Sequence, residues 1–504
     1  MNISEAKEEI KRTVEIYLDR SDDGEFSIPF MKQRPIFMMG APGIGKTAIV
    51  EQIASEMNIG LVSYSMTHHT RQSAIGLPYI ETAKYGDTEA RISRYTMSEI
   101  IASVYDLIER SGRANGILFL DEINCVSETL APAILQFLQY KTFGNMRLPQ
   151  GWVIVSAGNP PEYNRSVREF DIATRDRLKI INIEENYEVW RKYAYDRLLH
   201  GSILSFLEIN KSWFYSIRTT TEGPVFATAR GWEDLSYAIK LYEKKSFKVT
   251  ATLVTQYITD SEIGRRFAVF YDLYKKYRED YEVDSLLSGS IPDGILKKTE
   301  KAAFDERIAL IEMIAETLNA EFASVLENQA ILERVAQKLR PSKKLKSKTG
   351  NSAHLIETLY DETDSMEKGL KASIAANSAS SFEARATKVA ISRLVSFREM
   401  VIESENSEKE FTKIKKSFDS AAKKQAAGMD AAGSHLENAF AFLEKAFGDG
   451  QEMNYFLTVM TAGSQSSTFI SVHGSESYFK HNETLLVYDA EDKLKSEILS
   501  SLEL

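Results

Sequence analysis

An α/β amino-terminal domain on a parallel sheet, followed by a helical remainder, is the fold class this sequence predicts, and three features predict it. From Arg34 to about residue 185, short apolar runs (PIFMMG, GLVSYSM, GILFLDEIN, GWVIVSAGN) alternate with helical stretches such as TAIVEQIASEM. That alternation is the pattern of parallel strands joined by crossover helices on both faces. A glycine-rich turn joins the first of these strands to the first helix. After about residue 185 strand signals fade, and apolar residues recur every three or four positions to the end.

The elements follow in order. Residues 1 to 30 open with a charged amphipathic pattern in which Ile10, Val14 and Tyr17 recur at helical spacing, with Ser4 as the expected cap. Pro35 to Met39 reads as a short buried strand and Thr47 to Met57 as a helix. Between them, Gly40-Ala41-Pro42-Gly43-Ile44-Gly45-Lys46-Thr47 fits G-x-x-x-x-G-K-[ST]. In that setting, backbone N–H groups at a helix start point at phosphate, and the glycines permit the close approach it needs. Residues Gly40 to Ala48 are therefore the expected nucleotide-binding segment. Lys46 would neutralise charge on the β- and γ-phosphates, and Thr47 would offer its hydroxyl to Mg2+.

Gly116 to Ile123 is an apolar run that ends in two consecutive carboxylates, Asp121 and Glu122. The carboxyl ends of parallel strands line the ligand crevice, so these acids are expected beside the phosphate loop. Asp121 is the expected second group on Mg2+ and Glu122 the expected polariser of the attacking water. A further buried-type strand, Trp152 to Ala157, leads into Gly158-Asn159-Pro160-Pro161. The Asn159 amide there can bond both a γ-phosphate and the water. In the helical part, Ile311, Ile314, Leu318, Phe322 and Val325, and again Leu436, Phe440, Leu443 and Phe447, mark core-facing stripes. Linkers are expected near 286–296, 341–352 and 372–381, where small, polar and breaker residues collect.

Composition sets outer bounds. A chain of 504 residues allows two to four domains at ~150 residues each. The amino-terminal MNISEAKEEIKR is charged where a secretion signal has its apolar run, and no apolar stretch approaches the ~18 residues of a membrane span, which predicts a cytoplasmic protein. The single cysteine, Cys125, excludes an internal disulfide and a Cys-rich metal site, and no basic neighbour lowers its pKa, so a neutral thiol is expected. His68 and His69 are adjacent and so point to opposite faces of a strand, which argues for a structural rather than a metal-binding role. The net charge of -10 disfavours nucleic acid as partner, leaving the Lys343 to Lys348 run as the local exception.

Lys46, then Asp121 and Glu122, then Asn159, in this order, resemble the AAA+ ATPases, and within them the MoxR branch. The resemblance covers about residues 30 to 245. It implies a P-loop ATPase domain, taken over 1–185, and a helical lid, taken over 186–285; the further helical region over 286–504 is read from its own periodicity and exceeds the compact lid of this branch. It also implies ring assembly, in this branch as a hexamer, and Mg2+-dependent ATP hydrolysis coupled to chaperone-like remodelling of a client, with a von Willebrand factor A domain protein as the implied partner. That the nucleotide is ATP rather than GTP rests on the resemblance.

In Asp171-Ile172-Ala173-Thr174-Arg175-Asp176-Arg177-Leu178, which is similar to A-x-x-D-R-F, Arg177 stands as the arginine finger and Arg175 as its alternative. Ala227-Thr228-Ala229-Arg230-Gly231-Trp232 resembles the start of the lid helix that carries sensor 2, with Arg230 reaching phosphate and Ala229 where proline is frequent. Two segments, 76–95 and 143–152, resemble the inserts of this branch. Two other readings stay open: a nucleotide-gated scaffold with little turnover, and a nucleic-acid-dependent motor.

Overall fold

The structure, a computed structural model, describes residues 1–483 apart from 69–70, 86–87, 145, 164–165, 222, 346–351, 377–380 and 403–406. The side chains of His68, His69 and the Lys343 to Lys348 run lie outside that description. The chain folds into two units, Met1–Asn186 with Glu357–Val395, and Tyr187–Ile356 with Ser396–Leu504.

The first unit begins with α1 (Ile3–Leu18), whose stripe of Ala6, Ile10, Val14 and Tyr17 is buried. Its cap is Asn2 rather than Ser4. The Asn2 Oδ1 accepts from the amides of Ser4 and Glu5, and the Glu5 carboxylate accepts from the Asn2 amide at 3.0 Å. This reciprocal box satisfies orphan donors at both positions and stabilises the helix by about 1 kcal/mol. Ser4 lies two residues further in, already inside the helix, and cannot do the same. Lys179, from the far strand described below, reaches Glu9 at 2.6 Å and Thr13 at 2.7 Å and ties α1 to the sheet.

Next come β1 (Ile36–Gly40), α2 (Lys46–Glu56), β2 (Gly60–Ser65), α3 (Arg71–Ile75), β3 (Pro78–Tyr85), β4 (Thr88–Tyr95) and α4 (Glu99–Ser111). They are followed by β5 (Gly116–Asp121), α5 (Ala131–Tyr140), β6 (Thr142–Phe143), β7 (Met146–Arg147), β8 (Trp152–Gly158), α6 (Ile172–Asp176) and β9 (Lys179–Ile183). Five strands form one parallel sheet in the order β2-β5-β8-β1-β9. The four apolar runs of the sequence are four of these strands. β9 is a strand the sequence analysis did not assign, because Lys179 and Asn182 interrupt its apolar continuity and leave only Ile181 and Ile183 fully buried.

Register decides function here. Ser65 pairs with Asp121, Met39 with Gly158 and Gly40 with Ile183, so the carboxyl ends of all five strands meet on one edge of the sheet. Below that edge Phe37, Leu118, Leu120, Phe137 and Trp152 fill a core. The segment 76–95 is the antiparallel β3–β4 hairpin, and 143–152 contains the small β6–β7 hairpin.

The second unit contains α7 (Tyr187–Asp196), α8 (Gly201–Ile209), β10 (Ser216–Thr220), β11 (Gly223–Ala227), α9 (Ala229–Lys244), α10 (Ala251–Tyr257), α11 (Ser261–Tyr281), α12 (Val283–Leu287), α13 (Asp293–Lys301) and α14 (Phe304–Leu345). The chain then enters α15 (Ser352–Ala375) and α16 (Ser381–Ile402), most of which belong to the first unit, and returns through α17 (Ser407–Phe447), α18 (Gln451–Ala462) and α19 (Ser464–His473). The β10–β11 hairpin corrects the expectation that only helices follow residue 185. Each strand is five residues long, too short to stand out against the helical windows on either side.

The 42-residue α14 is the spine of this unit. Its predicted stripe is buried: Ile311, Ile314, Leu318 and Phe322 are at most 1% exposed. Leu436, Phe440 and Leu443 of α17 join the same core, and Phe447 packs at its edge. The expected linker at 286–296 spans the end of α12 and the start of α13, inside the second unit.

Candidate nucleotide site

The loop between β1 and α2 carries the densest set of predicted site residues. Gly45 caps α2 with φ of 99°, in the left-handed region that costs an L side chain ~1–2 kcal/mol. Gly40 is equally constrained, since a Cβ there would meet the Ile183 carbonyl at 2.6 Å and Ile44 at 2.8 Å. Glycine at these two places is what lets the chain turn tightly and present amides at the helix start. Ala41 and Ile44 are buried beneath the loop, while Pro42, Gly43, Thr47 and Ala48 are half-buried.

Lys46 is 8% exposed, and its ammonium donates to the carbonyls of Gly40 and Ala41, both at 2.8 Å, and to Asn159 Oδ1 at 2.9 Å. A buried ammonium needs such partners to offset its lost hydration. Thr47 Oγ1 donates to Asp121 Oδ2 at 3.1 Å. Lys46, Thr47, Asp121 and Asn159 are thus one connected cluster assembled from β1, α2, β5 and β8.

Glu122 completes it. Its backbone adopts φ of 54°, uncommon for a non-glycine residue and frequent at functional sites, and its amide donates to Asp121 Oδ1 at 2.9 Å. The Glu122 carboxylate accepts from Thr67 Oγ1 at 2.9 Å and Ser65 Oγ at 3.3 Å. Sequence reading missed these two hydroxyls, because only the Ser65–Asp121 register brings the end of β2 beside the acidic pair. It also missed Asn124, whose side-chain amide donates to the Asn159 carbonyl at 2.8 Å and so holds the end of β8. Gly158 makes room for it, since a Cβ there would lie 2.3 Å from Asn124 Oδ1. Cys125 is half-buried, and burial, with Glu122 and Asp121 nearby, pushes its thiol upward and keeps it neutral.

Mg2+ takes oxygen ligands, and the Thr47 hydroxyl and the Asp121 carboxylate are hard oxygens already facing each other, so the donor set fits that ion. The remaining predicted residues lie elsewhere. Arg177 ends α6, exposed, with its guanidinium donating to the Ala173 carbonyl at 3.1 Å. Arg175 is exposed on the same turn, beside Ile172, which is 87% exposed. Leu178, where the resembling motif has phenylalanine, is buried in the sheet core. Arg230 stands exposed in the first turn of α9, in the second unit, where Thr228 caps the helix.

A parallel sheet with a glycine loop, a buried lysine and two acids at its strand ends defines a P-loop nucleotide-binding domain. Residues 36–177, from β1 to Arg177, match the family described as "ATPase family associated with various cellular activities (AAA)", and this segment is an AAA-family ATPase domain. Among solved structures, NtrX from Brucella abortus in complex with ATP is similar over 41% of this chain and 40% of that chain, at 16% identity and a TM-score of 0.23. This chain therefore spans less than half of the NtrX chain. No curated protein sequence matches the chain. Among the described residues no helix is long and apolar enough to cross a membrane.

Proposed function

We propose that this protein is a Mg2+-dependent ATP hydrolase of the AAA+ class, MoxR-like, which works as a cytoplasmic ring, a hexamer, and spends hydrolysis on chaperone-like remodelling of a client protein. The observation that carries the reading is the cluster of Lys46, Thr47, Asp121, Glu122 and Asn159 at one set of strand ends. In this reading the loop Gly40 to Ala48 binds the phosphates through its backbone N–H groups, of which Pro42 supplies none, and through the Lys46 ammonium. Thr47 and Asp121 hold the metal, which when bound neutralises charge on the β- and γ-phosphate oxygens. Glu122 accepts the proton of the attacking water, and the Asn159 amide orients that water against the γ-phosphate.

Residues 186–285 act as the lid, with Arg230 reaching phosphate on closure. Arg177, exposed on α6 next to the exposed Ile172, enters the nucleotide site of a neighbouring copy, so each site is completed by assembly. The client is a protein, and a von Willebrand factor A domain is the partner type that the MoxR likeness suggests. A second reading, a nucleotide-gated scaffold with slow turnover, draws support from the Glu122 carboxylate being held by Ser65 and Thr67.

Hydrolysis measured against protein concentration, for the natural chain and Arg177→Ala, with light scattering for assembly mass, tests the ring reading. Specific activity should rise with concentration and collapse in the variant while binding and assembly survive. Turnover independent of concentration and of Arg177 would remove the shared site.

A further inference from the structure

β2 is an edge strand of the sheet, and an edge strand leaves a row of amides without sheet partners. Here the edge is met from within the first unit. The Leu61 amide donates to the carbonyl of Ala376, the residue that follows α15, at 3.1 Å. Ala376 is 0% exposed and packs in the sheet's own core cluster with Val62 and Leu118. Beside it, the Arg113 guanidinium spans Ser373 Oγ of α15 and the Ile59 carbonyl, each at 3.5 Å. The contact is a backbone bond, a buried side chain and a polar bridge at one point on the strand.

The other end of β2 is the site. Ser65 lies four positions along from Leu61, about 13 Å at 3.3 Å per residue, and Ser65 with Thr67 holds the Glu122 carboxylate. One short strand thus links the end of α15 to the group proposed to polarise water. A carboxylate occupied by two hydroxyls is engaged away from a nucleophile, and whatever steadies β2 steadies that engagement.

We infer that the end of α15, docked through Ala376 on the edge of β2, is an autoinhibitory contact that keeps Glu122 on Ser65 and Thr67, and that undocking releases Glu122 for catalysis. The inference rests on the ATPase reading for its effect on turnover, while the docking itself is read independently. The docking segment lies in sequence between the long helices α14 and α17, so events in the second unit have a covalent route to it.

The test uses the full chain. Ala376→Glu places a charge at a fully buried point, and Arg113→Ala is the milder variant if the first fails to fold. Amide exchange over residues 59–67 reports the strand and steady-state kinetics report turnover. Undocking should speed exchange at both 59–61 and 64–67, and should raise kcat about fivefold or more with nucleotide affinity unchanged. Ser65→Ala with Thr67→Val should be equally fast, and Ala376→Glu should add nothing to it. Faster exchange at 59–61 with 64–67 and kcat unchanged would overturn the inference. So would a rise in kcat that persists in full on top of the Ser65 and Thr67 substitutions. If no variant turns over ATP, the ATPase reading fails, and exchange at 64–67 alone then decides whether docking controls the strand end.

Discussion

In the first unit the carboxylates of Asp121 and Glu122 stand half-exposed at a strand end, engaged by the hydroxyls of Thr47 and Thr67. In the second unit Glu312, on α14, is 1% exposed, and it accepts from the hydroxyls of Tyr195 on α7, at 2.6 Å, and Tyr455 on α18. Around it Arg191 pairs with Glu208 at 2.6 Å and Glu188 at 2.8 Å, and Tyr274 donates to Glu316 at 3.2 Å. Burial pushes the Glu312 carboxyl up to about 7, although both tyrosines pull the other way. The two regions show that an ionisable group inside a protein is not by itself a functional sign. What separates them is access: the acids of the sheet edge stay half-exposed, whereas Glu312, on α14, is closed in by hydroxyls from α7 and α18 of its own unit.

The sharpest way to break this comparison is at the sheet edge. Arg177→Ala should lower kcat by about 10³-fold or more at assembling concentrations, the scale of a lost arginine finger, while equilibrium nucleotide binding is kept. Glu122→Gln should reduce kcat by roughly 10²- to 10⁴-fold and leave affinity within a factor of two, and wild-type-like turnover would move the protein to the scaffold reading.

Effects in the packing are smaller. Glu312 in the folded chain keeps a proton that the unfolded chain releases between about pH 4.5 and 7, so stability present at pH 5 is lost as pH rises through 7. The loss is roughly 3 kcal/mol at most, taking 1.36 kcal/mol per pKa unit. Urea unfolding of the full chain at pH 5.5 and 8.5 measures it. Glu312→Gln keeps an acceptor for the tyrosines and should flatten that slope, making the variant the more stable chain at pH 8.5. Gly158→Ala should cost about 1–3 kcal/mol, because its Cβ displaces Asn124, and it should loosen the turn that carries Asn159. Unfolding midpoints that match the natural chain would show that Asn124 relocates freely.

Much of the site was legible beforehand because its chemistry is local. A glycine-rich loop with Lys46 and Thr47 reads from eight consecutive residues, and the Asp121–Glu122 pair reads from an apolar run that stops at two charges. Ser65, Thr67 and Asn124 were not legible, since a hydroxyl or an amide in a turn carries no signal until strand register places it against a carboxylate. The same contrast holds for the fold. Strands of continuous apolar sequence announced themselves, while β9 and the β10–β11 hairpin were hidden by short length and mixed composition. Asn2 displaced Ser4 as the cap because capping depends on which oxygen reaches the second and third amides, a matter of a two-residue shift.

By itself the sequence determined the phosphate loop, the acidic strand end, the helical stripes of α14 and α17 and the order in which they occur, because each is set by residues within one turn or one strand of each other. Tertiary structure alone decided the order β2-β5-β8-β1-β9, the meeting of Lys46 with Asn159 and of Glu122 with Ser65 and Thr67, and the return of residues 357–395 to the first unit. Those depend on which distant segments exclude water together, and that is a property of the packed chain rather than of any stretch of it.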